Sequence, residues 1–405
     1  MKNKRKRILL VTQYFYPEEF KSNDIAFELK KRGYSVNVLT GIPNYPKGRF
    51  YNGYSLFRNR IQTIKGIRVY RSFLFPRFNG KGIYLALNYF SWAFFASIWA
   101  FFLSWFNKYD LIFVHEPSPI TQGIPAIVAK KMNNCSLYFW VLDLWPESLI
   151  SAGGIKNQKI ITFFTSLTNF IYKCSDKILI SSKGFKQSIV DKGPFLEKIV
   201  YFPNWAEDVF SLDVTRKIPD LPEGFIVMFA GNIGEAQDFE SIMSAALMLK
   251  DELEIKFVFV GDGRKKSWVD EFIEEHSLEK TCVTLGRYPL DFMPSFFAKA
   301  DVMLVTLKDE LIFNLTVPAK LQSYMAASKP IVTMLNGEGS KIVNEANCGL
   351  TASAGDFRKL AQNIYQLSEL SQEKLKFMAS NSKDYFLRHF TKDKCINHLV
   401  TLIEE

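Results

Sequence analysis

The sequence predicts an α/β protein of two doubly wound domains in tandem. Two series of apolar, β-rich runs, each run followed by a helical pattern, carry that prediction. A polar, proline-containing stretch at 204–223 separates the series and reads as a linker. Length is the third observation, because 405 residues suffice for two domains of roughly 150–200 residues with full cores.

In the first series, Arg7 to Thr12 is apolar without alternation and reads as a buried parallel strand. Asp24 to Arg32 reads as a helix stopped by Gly33, and Ser35 to Thr40 as the next strand. Further strands are expected at Leu111 to His115, Leu137 to Leu142, Lys177 to Ser181 and Ile199 to Phe202. The second series comprises Phe225 to Gly231, Ile255 to Gly261, Cys282 to Gly286, Asp301 to Leu307 and Ile331 to Leu335. Gln372 to Glu405 is helical and amphipathic. Two such domains bind ligands outside the carboxyl ends of their strands.

Charge divides the chain unevenly. Residues 1–200 hold 29 Lys/Arg against 11 Asp/Glu, a balance of +18, whereas 201–405 hold 22 against 30, or −8. No acidic residue occurs from Tyr51 to Tyr109. The first half suits an anionic surface. The five cysteines (135, 174, 282, 348, 395) are scattered and lack metal-ligand spacing, which predicts a reducing compartment without disulfides or zinc. The basic start, Lys2 to Arg7, precedes an apolar run too short for a signal peptide.

Ile83 to Phe106 is 24 residues without a charge, long enough for a transmembrane helix. It is a single segment, rich in Trp, Phe and Tyr, and it interrupts one α/β domain. A full span would put the two halves of that domain on opposite sides of the bilayer. Arg68, Arg71, Arg77 and Lys81 crowd its N-terminal side, as at an anionic headgroup layer. A helix lying in or against the membrane is expected, with a buried core helix as the alternative.

Thr316 to Gly349 carries the strongest local chemistry. Pro318 can start a helix because it has no N–H to lose there. Leu321, Tyr324 and Met325 have helical spacing, Lys329-Pro330 ends the helix, and a β-rich run follows. Gly337-Glu338-Gly339-Ser340 then leads into another helix. Two helix N-termini near strand ends are suited to a nucleotide diphosphate.

With these residues laid out, the chain resembles retaining glycosyltransferases of the GT-B fold, family four, and within it the WbuB-like transferases of O-antigen and capsule synthesis. In the first domain the resemblance rests on Tyr16-Pro17-Glu18, GIPNYPKG after Thr40, His115-EPSP, Asp143-LWPES and Phe202-PNW. In the second it rests on Phe229-AGNIGEAQ, Val260-GDG, Leu285-GR, Val317-PAKLQSYMAASKP and Asn336-GEG. It implies two Rossmann-like domains facing each other across a cleft. The expected bounds are 1–205 for the acceptor-binding domain, with the apolar segment 83–106, and 206–385 for the nucleotide-sugar domain. A helix at 386–405 would pack back on the first.

The sequence departs from the family in three places. The positions of the usual glutamate pair hold Leu315 and Ser323. The loop after the first strand of the second domain has Asn232, Glu235 and Gln237 where basic residues are common. Glu19-Phe20-Lys21-Ser22 replaces the paired glycines of the first loop.

Transfer with retention requires stabilisation of the departing diphosphate. That role is assigned to Lys320, the backbone at Ala319, and the loop Gly337, Glu338, Gly339 and Ser340, with Asn232 and Gly234 facing them. Asp262 and Arg287 are expected on the nucleotide side. By resemblance His115 contacts the donor sugar or phosphate, and Asp143 orients the acceptor hydroxyl or accepts its proton. Asn44, Glu116 and Trp145 are the acceptor candidates, with Glu147 a second choice for the carboxylate. No metal or other cofactor is expected.

The implied partners are a UDP-sugar, a lipid-linked saccharide and an anionic membrane surface, and no groove-reading motif suggests nucleic acid. The resemblance implies that the sugar transferred is an N-acetylated 6-deoxyhexosamine such as L-FucNAc, moved at the cytoplasmic face of the bacterial inner membrane. A UDP-N-acetylsugar 2-epimerase and a non-catalytic UDP-sugar-binding partner are the alternatives.

Overall fold

The computed structural model describes residues 5–78, 80, 82–151, 154–211 and 215–405. Lys2 and Lys4 of the basic start, and Lys81 beside the apolar segment, lie outside them. The chain forms two compact Rossmann-like units, Met1–Phe202 with Ile396–Glu405, and Pro203–Cys395.

The first unit contains β1 (Arg7–Val11), β2 (Ser35–Gly41), β3 (Ile61–Ile64), β4 (Ile67–Ser72), β5 (Leu111–Glu116), β6 (Ser136–Val141), β7 (Lys177–Ile180) and β8 (Ile199–Tyr201). Their order in the sheet is β3-β4-β2-β1-β5-β6-β7-β8. All neighbours are parallel except the hairpin β3–β4. Around it lie α1 (Lys21–Lys31), α2 (Gly82–Phe106), α3 (Gly123–Asn133), α4 (Glu147–Ser151), α5 (Gln158–Cys174) and α6 (Phe185–Asp191). The chain turns from β1 to β2 on one side and to β5 on the other, so the switch point lies between β1 and β5.

The second unit holds β9 (Phe225–Ala230), β10 (Ile255–Val260), β11 (Cys282–Gly286), β12 (Val302–Thr306), β13 (Ile331–Met334) and β14 (Gly349–Ala352) in the order β11-β10-β9-β12-β13-β14. Its helices are α7 (Phe239–Met248), α8 (Lys266–Glu275), α9 (Met293–Lys299), α10 (Leu311–Leu315), α11 (Ala319–Ala326), α12 (Glu338–Ala346), α13 (Phe357–Ser368) and α14 (Gln372–His389). One core cluster lies on each face of this all-parallel sheet, which explains why its strands are apolar throughout.

The hairpin β3–β4 and the short β14 add to the expected strands. The hairpin turns at Lys65 and Gly66, both at positive φ, the geometry that matches the twist of paired strands. The stretch 204–223 is more than a linker, because Phe210 stacks on Phe297 at 5.5 Å inside the second unit. The division falls after Phe202, and residues 386–395 stay with the second unit. The last helix, α15 (Lys392–Glu404), belongs to the first unit from Ile396 onward. There the Tyr138 hydroxyl donates to the Leu402 carbonyl at 2.7 Å, and Lys177 pairs with Glu405.

α2 connects two strands of one sheet and packs against α3, β2 and β4. Its inner face includes Asn88, Trp92, Ala93, Ala96, Ala100 and Leu103, of which the three alanines allow close approach. Its outer face stays exposed, with Phe94, Ile98, Phe102 and Trp105 in the open. It is therefore not an all-round buried core helix. Among the described residues it is the one helix long and apolar enough to cross a membrane.

Candidate functional site

In the second unit a cavity of about 630 Å³ lies at the carboxyl ends of β9 and β10 and the start of α11. That volume suits a small organic ligand. Five residues singled out from the sequence line it: Asn232, Asp262, Arg287, Ala319 and Lys320. Its apolar wall includes Phe210, Met293 and Phe297, with Glu207 at the same opening. The Tyr324 hydroxyl accepts from the Ala230 N–H and donates to the Ala230 carbonyl, both at 3.0 Å. It thus fixes the end of β9 next to the cavity. Sequence spacing placed Tyr324 on the helix without indicating that clamp.

Lys320 is the cavity's distinctive charge. Its Nζ donates to the Gln237 side-chain oxygen at 2.6 Å and lies 3.6 Å from the centroid of the Phe229 ring. Among the described residues no carboxylate pairs with it. Burial pushes its pKa well below the usual lysine range. Gly231, at φ +137, makes room, because a Cβ there would come within 2.6 Å of Lys320 Cε. At the start of α11 the N–H groups of Ala319 and Lys320 have no acceptor among the described residues. A desolvated ammonium and two open N–H donors form an anion site.

The Gly337–Ser340 loop does not line this cavity. The Asn314 carbonyl packs where a Cβ of Gly337 would be, and Gly339 is buried against Leu335 and Pro318. The Ser340 hydroxyl donates to the Leu335 carbonyl at 2.5 Å, and Glu338 pairs with Lys341 at 2.8 Å. Gly234 lies behind the Asn232 side chain rather than on the wall. Among the described residues no group of three His, Cys, Asp or Glu side chains is placed to hold a metal ion.

In the first unit the assigned residues collect at the strand ends around its switch point. His115 is buried at the end of β5, its Nδ1 3.3 Å from the Thr12 hydroxyl beyond β1. Burial pushes its pKa down to about 3, helped by Lys21, so the imidazole is neutral at pH 7. Asp143 follows β6 and accepts from the Ser148 hydroxyl. Burial raises its pKa to about 6, offset in part by Ser148, Ser118 and Trp145. Glu116 is fully buried, its carboxyl close to the backbone N–H groups of Asp143 and Leu142. Burial and then the nearby Asp143 push it well above the usual carboxylate range. Glu147 is engaged by Lys192 and by Ser188, which donates to it at 2.6 Å. The Trp145 ring is buried, 5.0 Å from Phe164.

Asn44 belongs to a buried polar network rather than a free turn. The N–H groups of Asn44 and Tyr45 donate to Glu18 at 2.8 and 2.7 Å. Burial nonetheless raises Glu18 to about 7. The Asn88 amide of α2 reaches the Asn44 oxygen at 3.4 Å and accepts from Gln13 at 2.7 Å. Gln13, Glu18 and Asn88 were not picked out as site residues from the sequence. Asn88, the one carboxamide in a helix otherwise of apolar and small hydroxyl or aromatic residues, was the available signal.

Residues 224–369 match the family described as Glycosyl transferases group 1. The chain is 33% identical over 251 residues to the probable glycosyltransferase WbjE of Pseudomonas aeruginosa, covering 58% of this chain and 61% of that protein. The match thus spans about three fifths of that relative's length. It is 25% identical over 312 residues to WcaI of Escherichia coli (strain K12), named as a colanic acid biosynthesis glycosyl transferase, with 74% of each covered. The crystal structure of Anabaena Alr3699/HepE in complex with UDP gives a TM-score of 0.71 at 14% identity, covering 98% of this chain and 99% of that one. Residues 224–369 are thus similar to the glycosyl transferases group 1 family, and the chain has the GT-B fold.

Proposed function

We propose that this chain is a retaining glycosyltransferase of bacterial surface polysaccharide synthesis. It moves an N-acetylated sugar of the L-FucNAc kind from a UDP-sugar to a polyprenyl-diphosphate-linked saccharide of capsule or O-antigen. The reaction takes place at the cytoplasmic face of the inner membrane. The observation that carries this reading is Lys320, a desolvated cation beside open helix N–H groups in a cavity of nucleotide size. The relatives' names and the UDP held by the Anabaena structure support a nucleotide-sugar donor.

In the proposed reaction the bond between the anomeric carbon and the β-phosphate oxygen breaks, and its electron pair leaves with UDP. The acceptor hydroxyl forms the new bond on the same face. Lys320 and the Ala319 and Lys320 N–H groups offset the charge developing on the diphosphate. Neutral His115 contacts the donor, and Asp143, ionised at pH 7, orients the hydroxyl or takes its proton. The exposed aromatic face of α2 and the basic first unit hold the protein at the membrane.

The test is incubation with a panel of UDP-sugars and a polyprenyl-diphosphate-sugar, followed by mass analysis of the products. Addition of one sugar mass, with UDP released only when acceptor is present, supports the proposal. UDP release without acceptor favours the epimerase. Binding without turnover favours a non-catalytic partner.

A further inference from the structure

A second cavity, of about 380 Å³, lies wholly in the first unit, and none of the site assignments above uses it. Tyr16, Lys47, Arg49, Tyr51 and Tyr54 are among its walls. Lys47 and Arg49 are exposed, and among the described residues neither forms an ion pair. The Lys47 ammonium lies 4.7 Å from the centroid of the Tyr51 ring. On the far side, the Tyr54 ring covers the buried Arg71 guanidinium at 4.9 Å. Two unneutralised cations among tyrosine rings form a receptor for a phosphate carrying a sugar or hydrocarbon neighbour.

The surroundings indicate what that neighbour is. The loop bearing Lys47 and Arg49 is fastened to the entrance of α2, since the Phe78 N–H donates to the Gly48 carbonyl at 2.7 Å. Phe78 is exposed and its ring lies 5.3 Å from that of Tyr84, in the first turn of α2. From Tyr84 the outer face of α2 continues through Leu87, Phe90 and Phe94, all exposed. An ionic pocket thus opens beside an apolar track.

The pocket also adjoins the group assigned to chemistry. The Tyr51 hydroxyl donates to the Tyr45 carbonyl at 2.6 Å, the Tyr45 ring lies 5.5 Å from Phe20, and Phe20 lies 6.4 Å from His115.

We propose that Lys47 and Arg49 hold the diphosphate of an isoprenoid-diphosphate-linked saccharide, with its hydrocarbon leaving past Phe78 and Tyr84 along α2. This rests on the transferase reading, and it assigns the lipid end of the acceptor to residues apart from those that face the sugar.

The probe is farnesyl diphosphate, a short soluble isoprenoid diphosphate, compared with inorganic pyrophosphate and with farnesol by calorimetry on the full chain. Farnesyl diphosphate should bind at least tenfold more tightly than either fragment. In Lys47→Ala/Arg49→Ala its affinity should fall at least tenfold, with UDP affinity unchanged, whereas Lys30→Ala/Lys31→Ala, which removes two exposed cations elsewhere in the same unit, should leave farnesyl diphosphate affinity intact. The swap Lys47→Arg/Arg49→Lys should retain most of the affinity. An affinity for farnesyl diphosphate equal to that for pyrophosphate overturns the proposal, as does one unaffected by the alanine pair. An equal loss in Lys30→Ala/Lys31→Ala also overturns it, by reducing the two cations to general surface charge. Absence of sugar transfer by the wild type would sink the transferase reading alone, because the farnesyl diphosphate titration still decides whether the lipid is bound.

Discussion

Lys320 lies where its charge is costly until an anion arrives. Lys320→Ala should lower turnover at least tenfold, measured as acceptor-dependent UDP release, while circular dichroism shows the fold unchanged. Its pKa is depressed in the free protein, and a bound diphosphate raises it. Binding then takes up a proton whenever the free lysine is neutral, so UDP affinity should fall as pH rises. Lys320→Met should bind weakly with a flatter pH dependence, readable by calorimetry. The contact between Lys320 and Gln237 was not legible in the sequence. It joins side chains 83 positions apart, and only the packing of α11 beneath β9 brings them together.

The buried carboxyls of the first unit give a second pH effect. Glu18 rises from 4.5 to about 7 and Asp143 from 3.8 to about 6 on folding. Both bind protons more tightly when folded, so the stability they add is present at low pH and is lost as pH rises through 6 and 7. His115, lowered from 6.5 to about 3, opposes them as pH falls below 6.5. Glu116, pushed well above the usual carboxylate range, adds to the two, and three carboxyls against one imidazole leave a net gain on mild acidification. The thermal midpoint should be higher at about pH 5.5 than at about pH 7.5, and Glu18→Gln should reduce the difference.

Among the elements, buried parallel strands were the most legible, because covering both faces leaves continuous apolar runs such as Phe225 to Ala230. The β3–β4 hairpin was less so. Its strands are short, and Lys65 is not a residue type that marks a left-handed turn position. The Gly337 loop reads in sequence as an open phosphate cradle, but it does not line the cavity, and the Asn314 carbonyl packs on the side where a Gly337 side chain would be, a contact no local pattern reports.

α2 shows both faces of the same problem. Its length and composition were plain, while the stripe that packs could be identified only after Ala93, Ala96 and Ala100 met α3 and the sheet. Replacing Phe94, Phe102 and Trp105 by Ser should weaken sedimentation with anionic vesicles at least tenfold with little change in thermal midpoint. Ala96→Leu, on the packed face, should instead destabilise the fold by about 1–3 kcal/mol in urea unfolding.

At the scale of the whole molecule, the two-unit plan was legible because each half repeats the same strand and helix alternation. The charge asymmetry was legible by counting, with +18 in residues 1–200 and −8 in the remainder. Vesicle binding by the basic unit should weaken steeply with salt, as the screening length shrinks from about 10 Å at 0.1 M to about 3 Å at 1 M. UDP binding, set by the desolvated Lys320, should change much less over the same range.

The membership of residues 396–405 in the first unit bears on how the chain is made. Tyr138, Tyr34 and Lys177 wait for Leu402, Glu404 and Glu405, so the half translated first cannot close until residue 405 has left the ribosome. The second unit, residues 203–395, is one uninterrupted stretch set between the two pieces of the first. The first unit therefore brings together the earliest and the latest parts of the sequence, and its completion is tied to the end of synthesis.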